Sequence, residues 1–132
     1  MADLRRVDGS SVCPSTKLLT FTRDLTTASG TQALTGFGFR PKRCTGWGAV
    51  DLTNAVYTTL IGKVDDAGNM SALFYYTATQ LQNSTASFLN PASGANNASA
   101  VLSSYDADGL TLYWTKNASP TGIFKFTVEC SR

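Results

Sequence analysis

Apolar and polar residues alternate with a period of two along several short segments of the chain. In Gly122–Cys130 every second side chain is apolar, namely Phe124, Phe126 and Val128. The segment Leu110–Thr115 has the same alternation. This pattern is typical of antiparallel strands with one buried and one solvent-exposed face. It therefore predicts sheets that share a core.

The composition supports an all-β chain. Glu occurs only once, at Glu129, and charged residues make up 15% of the sequence, while Ser and Thr are abundant. Exposed helical surfaces usually contain Glu, Lys, Arg and Gln, whereas Thr and aromatic residues favour strands. A length of 132 residues fits one domain, and a chain of this size buries roughly two-thirds of its surface on folding.

Turn residues divide the chain into about eight short strands, which predicts a jelly-roll-like antiparallel β-sandwich. Residues 1–16 lack periodicity and are predicted to be an N-terminal arm, which leaves residues 17–132 for the sandwich. The predicted strands are Leu18–Arg23, Thr31–Thr35, Arg43–Val50, Tyr57–Val64, Met70–Thr77, Ser99–Tyr105, Leu110–Thr115 and Gly122–Cys130.

The segments between the predicted strands also contain residues that indicate their conformation. Gly36–Cys44 contains two glycines and a proline, which favours a corner between sheets. The segments Asp65–Asn69 and Asp106–Gly109 are predicted to be hairpin turns. Thr79–Ala98 is predicted to be a long surface loop, with a short strand near Ala86–Leu89.

Several kinds of chemistry are excluded or disfavoured. The chain has no histidine, which excludes Ser-His-Asp and Cys-His catalysis and histidine-ligated zinc. Asp106-x-Asp108-Gly109 lacks the remaining ligands of a calcium loop. The adjacent Asp65 and Asp66 do not predict the facing carboxylates of a glycosidase. Gly36-x-Gly38 lacks the further glycines of a phosphate loop. The sequence predicts neither an enzyme nor a cofactor or metal site.

The sequence constrains the protein's cellular compartment and binding partners more weakly than its chemistry. The N-terminus has no apolar run typical of a signal peptide, and no segment approaches 18 apolar residues, so no membrane partner is expected. A net charge of +2 does not indicate a nucleic-acid partner. The three cysteines, Cys13, Cys44 and Cys130, are expected to be reduced thiols. A single bridge, for instance Cys44 to Cys130, remains an alternative because the sequence does not determine a pairing.

Two kinds of candidate binding residue remain. Arg40, Lys42 and Arg43 form the only dense basic cluster, which is interpreted as a solvated face or as a contact for an acidic protein surface. The aromatic groups are expected in the core or a subunit interface more than on sugar rings. These groups are Phe37, Phe39 and Trp47, and Tyr75, Tyr76, Tyr113 and Trp114.

Three motifs resemble those of a β-sandwich virion protein family of tailed bacteriophages. They are T-G-F-G-F-R-P-K at Thr35–Lys42, S-S-Y-D-A-D-G-L-T-L-Y-W-T-K at Ser103–Lys116, and the segment Ala118–Gly122 before the last strand. The resemblance extends from about Thr20 to Cys130, and its motifs are structural rather than catalytic. Members of this kind serve as head decoration (cement) proteins or as modules of tail fibres and spikes.

The resemblance implies a trimeric capsid decoration protein, made in the bacterial cytoplasm and placed on the capsid exterior. Its expected partners are further copies of itself and the major capsid protein, whose subunits it would bridge. The alternative is a receptor- or glycan-binding module of a tail fibre or spike. The residues expected to contact the capsid or a neighbouring protomer are Leu4, Arg5, Arg6, Val7, Arg40, Lys42 and Arg43.

Overall fold

A computed structural model describes residues 16–51, 60–77, 80–92 and 95–132. This part of the chain forms ten strands and no helix, so the all-β prediction is confirmed. The strands are β1 (Thr16–Asp24), β2 (Gly30–Thr35), β3 (Arg43–Asp51), β4 (Leu60–Val64), β5 (Met70–Thr77), β6 (Gln80–Ser84), β7 (Leu89–Ala92), β8 (Asn97–Asp106), β9 (Gly109–Asn117) and β10 (Ile123–Ser131).

The strands form two antiparallel sheets packed as a sandwich. The six-stranded sheet has the order β1-β10-β3-β4-β5-β6, and the four-stranded sheet has the order β2-β9-β8-β7. The run β10-β3-β4-β5 is a Greek key, because β10 returns beside the first strand of a three-strand meander. β1 and β2 pair with β10 and β9, so strands from both ends of the chain meet in each sheet.

Period-two alternation builds the core as the sequence predicts. In β10, Phe124, Phe126 and Val128 are buried, and in β9, Leu112 and Trp114 are buried. The Trp114 ring packs edge-on against Phe124 and Phe126 with centroids 6.1 Å apart. These aromatic contacts join the inner faces of the two sheets.

The predicted corner carries the chain from one sheet to the other. It links β2 of the four-stranded sheet to β3 of the six-stranded sheet. Gly36 and Gly38 have φ values of +107° and +80°, which residues other than glycine rarely adopt. Phe37 and Phe39, between and after the glycines, are buried in the core. The corner thus turns the chain and supplies two core aromatics.

Glycine also permits a very close approach between the sheets. A Cβ on Gly62 of β4 would overlap the backbone carbonyl of Phe88, and one on Gly46 of β3 would lie 2.9 Å from the Leu89 side chain. Gly46 and Gly62 are directly paired across the two strands. Together they form a depression in the inner face that the fully buried Phe88 and Leu89 occupy.

The number of strands and the position of one short strand differ from those predicted. The structure has ten strands rather than about eight, because β6 and β7 lie within the segment predicted to be a loop. The short strand expected near Ala86–Leu89 instead begins at Leu89 and contains Pro91. Proline is compatible with β7 because this strand is at the edge of its sheet. Thr16, the last residue of the predicted arm, pairs with Ser131 in β1.

Candidate interaction surface

The outer face of the six-stranded sheet is the side directed away from the four-stranded sheet, and it is unusually apolar. Most of the exposed large hydrophobic residues in the described ranges lie on it: Leu18, Trp47, Ile61, Leu73, Leu81 and Ile123. The remaining one, Tyr113, is on the outer face of the four-stranded sheet. Concentration of exposed apolar residues on one face is typical of an interaction site.

Strand register places three of these side chains side by side. Trp47 of β3 is paired with Ile61 of β4, and Ile61 is paired with Leu73 of β5. Directly opposite residues in adjacent antiparallel strands have Cβ atoms ~5 Å apart on the same face. We call Trp47, Ile61 and Leu73 the apolar row. They are 36%, 48% and 38% exposed, respectively, so the row presents a continuous apolar strip to solvent.

Polar residues extend the same line across the rest of the sheet. Trp47 is paired on its other side with Thr127 of β10, which is paired with Thr20 of β1. The two threonine hydroxyls are hydrogen-bonded, with Oγ1 atoms 3.2 Å apart. Leu73 is paired with Asn83 of β6. All six strands therefore contribute one residue to a single straight line, apolar at its centre and polar at both ends.

Charged residues flank this line on β10 and β4. Lys125 and Glu129 lie two positions before and after Thr127, on the same outer face. Lys63 lies two positions after Ile61 and is paired with Thr45 of β3. The outer face thus has an apolar centre with charges of both signs beside it.

A shallow groove of about 440 Å³ lies at one end of this face, beside the β4–β5 turn. It is lined by residues of β3, β4, β5 and the turn: Arg43, Cys44, Thr45, Lys63, Val64, Asp65, Asn69, Met70 and Ser71. The charged side chains that line it are Arg43, Lys63 and Asp65, so the groove presents charges of both signs.

The predicted basic cluster lies at this same end of the sandwich. Arg40, Lys42 and Arg43 are all exposed. The backbone N–H of Lys42 donates to the Ser131 carbonyl at 2.8 Å, which fixes the end of the corner to β10. Of the three basic residues, only Arg43 lines the groove. The other predicted contact residues, Leu4, Arg5, Arg6 and Val7, lie outside the described residues.

Acidic residues accompany the basic cluster. Hydrogen bonds from the Thr111 and Ser104 hydroxyls lower the pKa of the Asp106 carboxyl, and the positive charge of Arg40 adds a smaller effect in the same direction. In the β4–β5 turn, hydrogen bonds from Asn69 lower the pKa of Asp65. Both acidic segments form hairpin turns, as the sequence predicts, and these carboxylates accept hydrogen bonds from nearby groups.

The aromatic residues divide between the core and the surface. Phe37, Phe39 and Trp114 are buried, as the expectation of a core location requires, whereas Trp47 and Tyr113 are partly exposed. For these two residues the other expected location, a subunit interface, stays a prediction. Gly46 and Gly48, on either side of Trp47, occupy the inner positions of β3, which directs Trp47 to the outer face. The side chains of Tyr75 and Tyr76 lie outside the described part of the structure.

The cysteines also depart from the favoured prediction. Cys44 of β3 and Cys130 of β10 are directly paired, with Cα atoms 4.1 Å apart, and form a disulfide. The expectation of reduced thiols is therefore wrong for these two residues, and the alternative bridge is the one formed. Both are buried on the inner face, so the bridge joins two central strands. Cys13 lies outside the described residues.

Neither the described residues nor comparisons with known proteins identify a family or reaction. No family model matches the chain, and neither curated proteins nor solved structures give a significant match. The described ranges contain no group of three or more potential metal-ligating Cys, Asp or Glu side chains. They also contain no helix of the length and apolarity needed to cross a bilayer.

Proposed function

We propose that this chain is a bacteriophage virion structural protein, a trimeric decoration protein that stabilises the head by bridging major capsid protein subunits. The observation that carries the proposal is the apolar row on the outer face of the six-stranded sheet. An exposed strip of Trp47, Ile61 and Leu73 suits burial against another protein chain, whether a further copy of this chain or a capsid subunit. The β-sandwich architecture agrees with the family that the sequence motifs resemble.

The mechanism is mechanical. A sandwich whose sheets are joined by aromatic packing, and whose strands β3 and β10 are cross-linked by the Cys44–Cys130 bridge, is a rigid body. When such a body contacts two capsid subunits, separating those subunits requires breaking its contacts. In a trimer, three linked contacts raise occupancy through effective concentration, although each contact is modest.

The disulfide supports a location outside the host cell. Disulfides persist in oxidising surroundings and are rare in the reduced cytosol. A protein made in the bacterial cytoplasm and carried on the capsid exterior meets an oxidising medium after release. The buried Cys44–Cys130 bridge would then form or persist on the particle.

Copy number separates the decoration protein from the alternative tail module. Quantitative mass spectrometry of purified particles is expected to find hundreds of copies of this chain per virion. A few to a few dozen copies, together with binding to glycans or cells, would instead support a receptor-binding module of a tail fibre or spike.

Binding to undecorated capsids tests the basic cluster and the arm. Replacing Arg40, Lys42 and Arg43 by Gln is expected to weaken binding and its salt dependence, because the cluster would face acidic capsid residues. Lys116→Gln, at the opposite end of the sandwich, is the matched control. Deleting residues 1–15 should also weaken binding, and an unchanged affinity would remove the arm from the mechanism.

A further inference from the structure

The outer face of the six-stranded sheet has a pattern that complements itself. We propose that two copies of this chain pair face to face through it, with a two-fold axis along the line that contains the apolar row. This inference does not rest on the proposed function. It follows from strand register and from the charges on either side of that line.

The symmetry is set by the register. A two-fold axis in the plane of the interface, perpendicular to the strands, places each strand opposite the same strand of the second copy, running in the reverse direction. Trp47, Ile61 and Leu73 then each lie over their own equivalents. Residues two positions before and after the line on one strand exchange places across the interface.

The exchange brings opposite charges together on β10. Lys125 and Glu129 flank Thr127 at equal distances along the strand. The half-turn therefore places Lys125 of one copy over Glu129 of the other, and the reverse pair forms by symmetry. Lys125 also has an interaction within its own chain, and the pairing requires only that its positive charge lies on this face.

The neighbouring positions on β3 meet without bulky side chains. Thr45 and Ala49 flank Trp47 on the outer face, and the same half-turn places Thr45 of one copy over Ala49 of the other. Small residues on both sides leave room for the two indole rings to approach. Sheets packed face to face keep their strands within ~30° of alignment, so the pairing holds best near the centre of the line.

The size of the face predicts a weak dimer. Six strands spaced ~4.8 Å apart and three rows of side chains spaced ~6.7 Å apart cover about 600 Å² on each copy. The total of about 1,200 Å² is at the lower limit of specific, stable interfaces. We therefore expect dissociation in the micromolar range. If copies also form a trimer through other surfaces, this contact joins two trimers into an assembly of six chains.

Sedimentation equilibrium of the full chain over a wide concentration range tests the proposal. The unmodified protein is expected to form species of two or six chains. Ile61→Lys places a charge in the centre of the apolar row and should raise the dissociation constant at least tenfold. Tyr113→Thr removes the exposed aromatic residue from the other sheet's outer face and should leave the dissociation constant unchanged.

A charge exchange tests the two-fold register itself. Lys125→Glu and Glu129→Lys should each weaken the dimer several-fold, because like charges then face each other. The double variant should recover the original dissociation constant, since the opposite charges are restored with their positions exchanged. Circular dichroism melting of each variant checks that the sandwich is folded.

Four results would overturn the proposal. They are a monomer at every concentration, an assembly of three chains alone, an oligomer that Ile61→Lys does not affect, and a double charge variant no better than the single variants. Capsid binding or virion copy number is measured separately, so failure of the dimer is distinguishable from failure of the decoration role.

Discussion

The carboxylate of Asp108 accepts a hydrogen bond from the backbone N–H of Gly38, with Oδ1 and the nitrogen 2.6 Å apart. The other carboxylate oxygen, Oδ2, accepts a hydrogen bond from the N–H of Gly36 at 3.0 Å. The backbone carbonyl of Asp108 accepts one from the N–H of Phe37 at 3.1 Å. One residue of the β8–β9 turn thus binds three consecutive N–H groups of the corner between the sheets.

Removing this carboxylate is expected to destabilise the corner. Asp108→Ala leaves the N–H groups of Gly36 and Gly38 to water and should lower the free energy of unfolding by about 1.5 kcal/mol, the lower end of the range for hydrogen bonds to a charged group, because the site is exposed to solvent. Urea denaturation measures the change. Asp66→Ala, an exposed acidic residue in the β4–β5 turn, is the control. Equal effects of the two substitutions would contradict the proposed role of Asp108.

The sequence predicts both the corner and the turn but not their contact. Gly36, Gly38 and the segment Asp106–Gly109 signal local changes of direction through conformational preferences of their own residues. The hydrogen bond between Asp108 and Gly38 joins residues 70 positions apart. It depends on β2 pairing with β9, and local patterns carry no information on which strands pair.

The close approach at Gly62 predicts a second effect. Gly62→Ala would direct a methyl group onto the backbone carbonyl of Phe88. Relieving that overlap requires a shift of β4 or of the segment that contains Phe88, which is fully buried. Overpacking in a core typically costs about 1–3 kcal/mol, so a loss of that size is expected in chemical denaturation. Gly30→Ala provides the matched control, since the nearest atom to its added Cβ is 4.0 Å away.

A loss at Gly62 no larger than that at Gly30 would show that the sheets separate readily at this point. The same geometry explains why Trp47 lies on the outer face rather than in the core. The inner positions of β3 hold Gly46 and Gly48 because Phe88, Leu89 and the neighbouring β10 backbone approach them closely. An alternation in which glycine faces the core and tryptophan faces solvent is the reverse of what hydrophobicity alone predicts.

The disulfide gives a third prediction. Cys44 and Cys130 are 86 positions apart, and closing a loop of that size corresponds to at most ~4.5 kcal/mol of chain entropy, with 2–4 kcal/mol typical of measured cases. The variant with both residues replaced by Ala should have a lower melting temperature than the unmodified protein in its oxidised, disulfide-bonded form. Reductant should produce a similar decrease in the unmodified chain and none in the double variant.

Cys13→Ser is the control, because it retains the bridge while removing the third cysteine. Thiol titration under denaturing conditions should find no reactive thiol in oxidised Cys13→Ser and two after reduction. Two reactive thiols before reduction would contradict the bridge.

The apolar row illustrates why the candidate surface was not predicted. Trp47, Ile61 and Leu73 are separated in sequence by turns and become neighbours only through the register of β3, β4 and β5. A one-residue slip in any of these strands would direct its side chain to the core instead. By contrast, Arg40, Lys42 and Arg43 were recognisable because they are neighbours in the sequence.

Tyr105 links the two sheets at the end that carries the basic cluster, and its environment predicts a dependence on alkaline pH. Its hydroxyl donates to the Asp65 carbonyl at 2.7 Å. Partial burial, with a smaller effect of the negative charges of Asp65 and Asp66, raises its pKa from 10.0 to about 12, against a small opposite effect of Arg43. The folded protein therefore retains this proton at pH values where the unfolded chain releases it.

The sign of the effect follows from that difference. Below pH ~10 the tyrosine is neutral in both states and its contribution to stability is complete, whereas between pH ~10 and ~12 the contribution decreases as pH rises. Denaturation across this interval should show a steeper loss of stability in the unmodified protein than in Tyr105→Phe. Ultraviolet difference titration should assign one tyrosinate transition near 12 to Tyr105. Identical titrations of the two proteins in that range would contradict the burial of this hydroxyl against the β4–β5 turn.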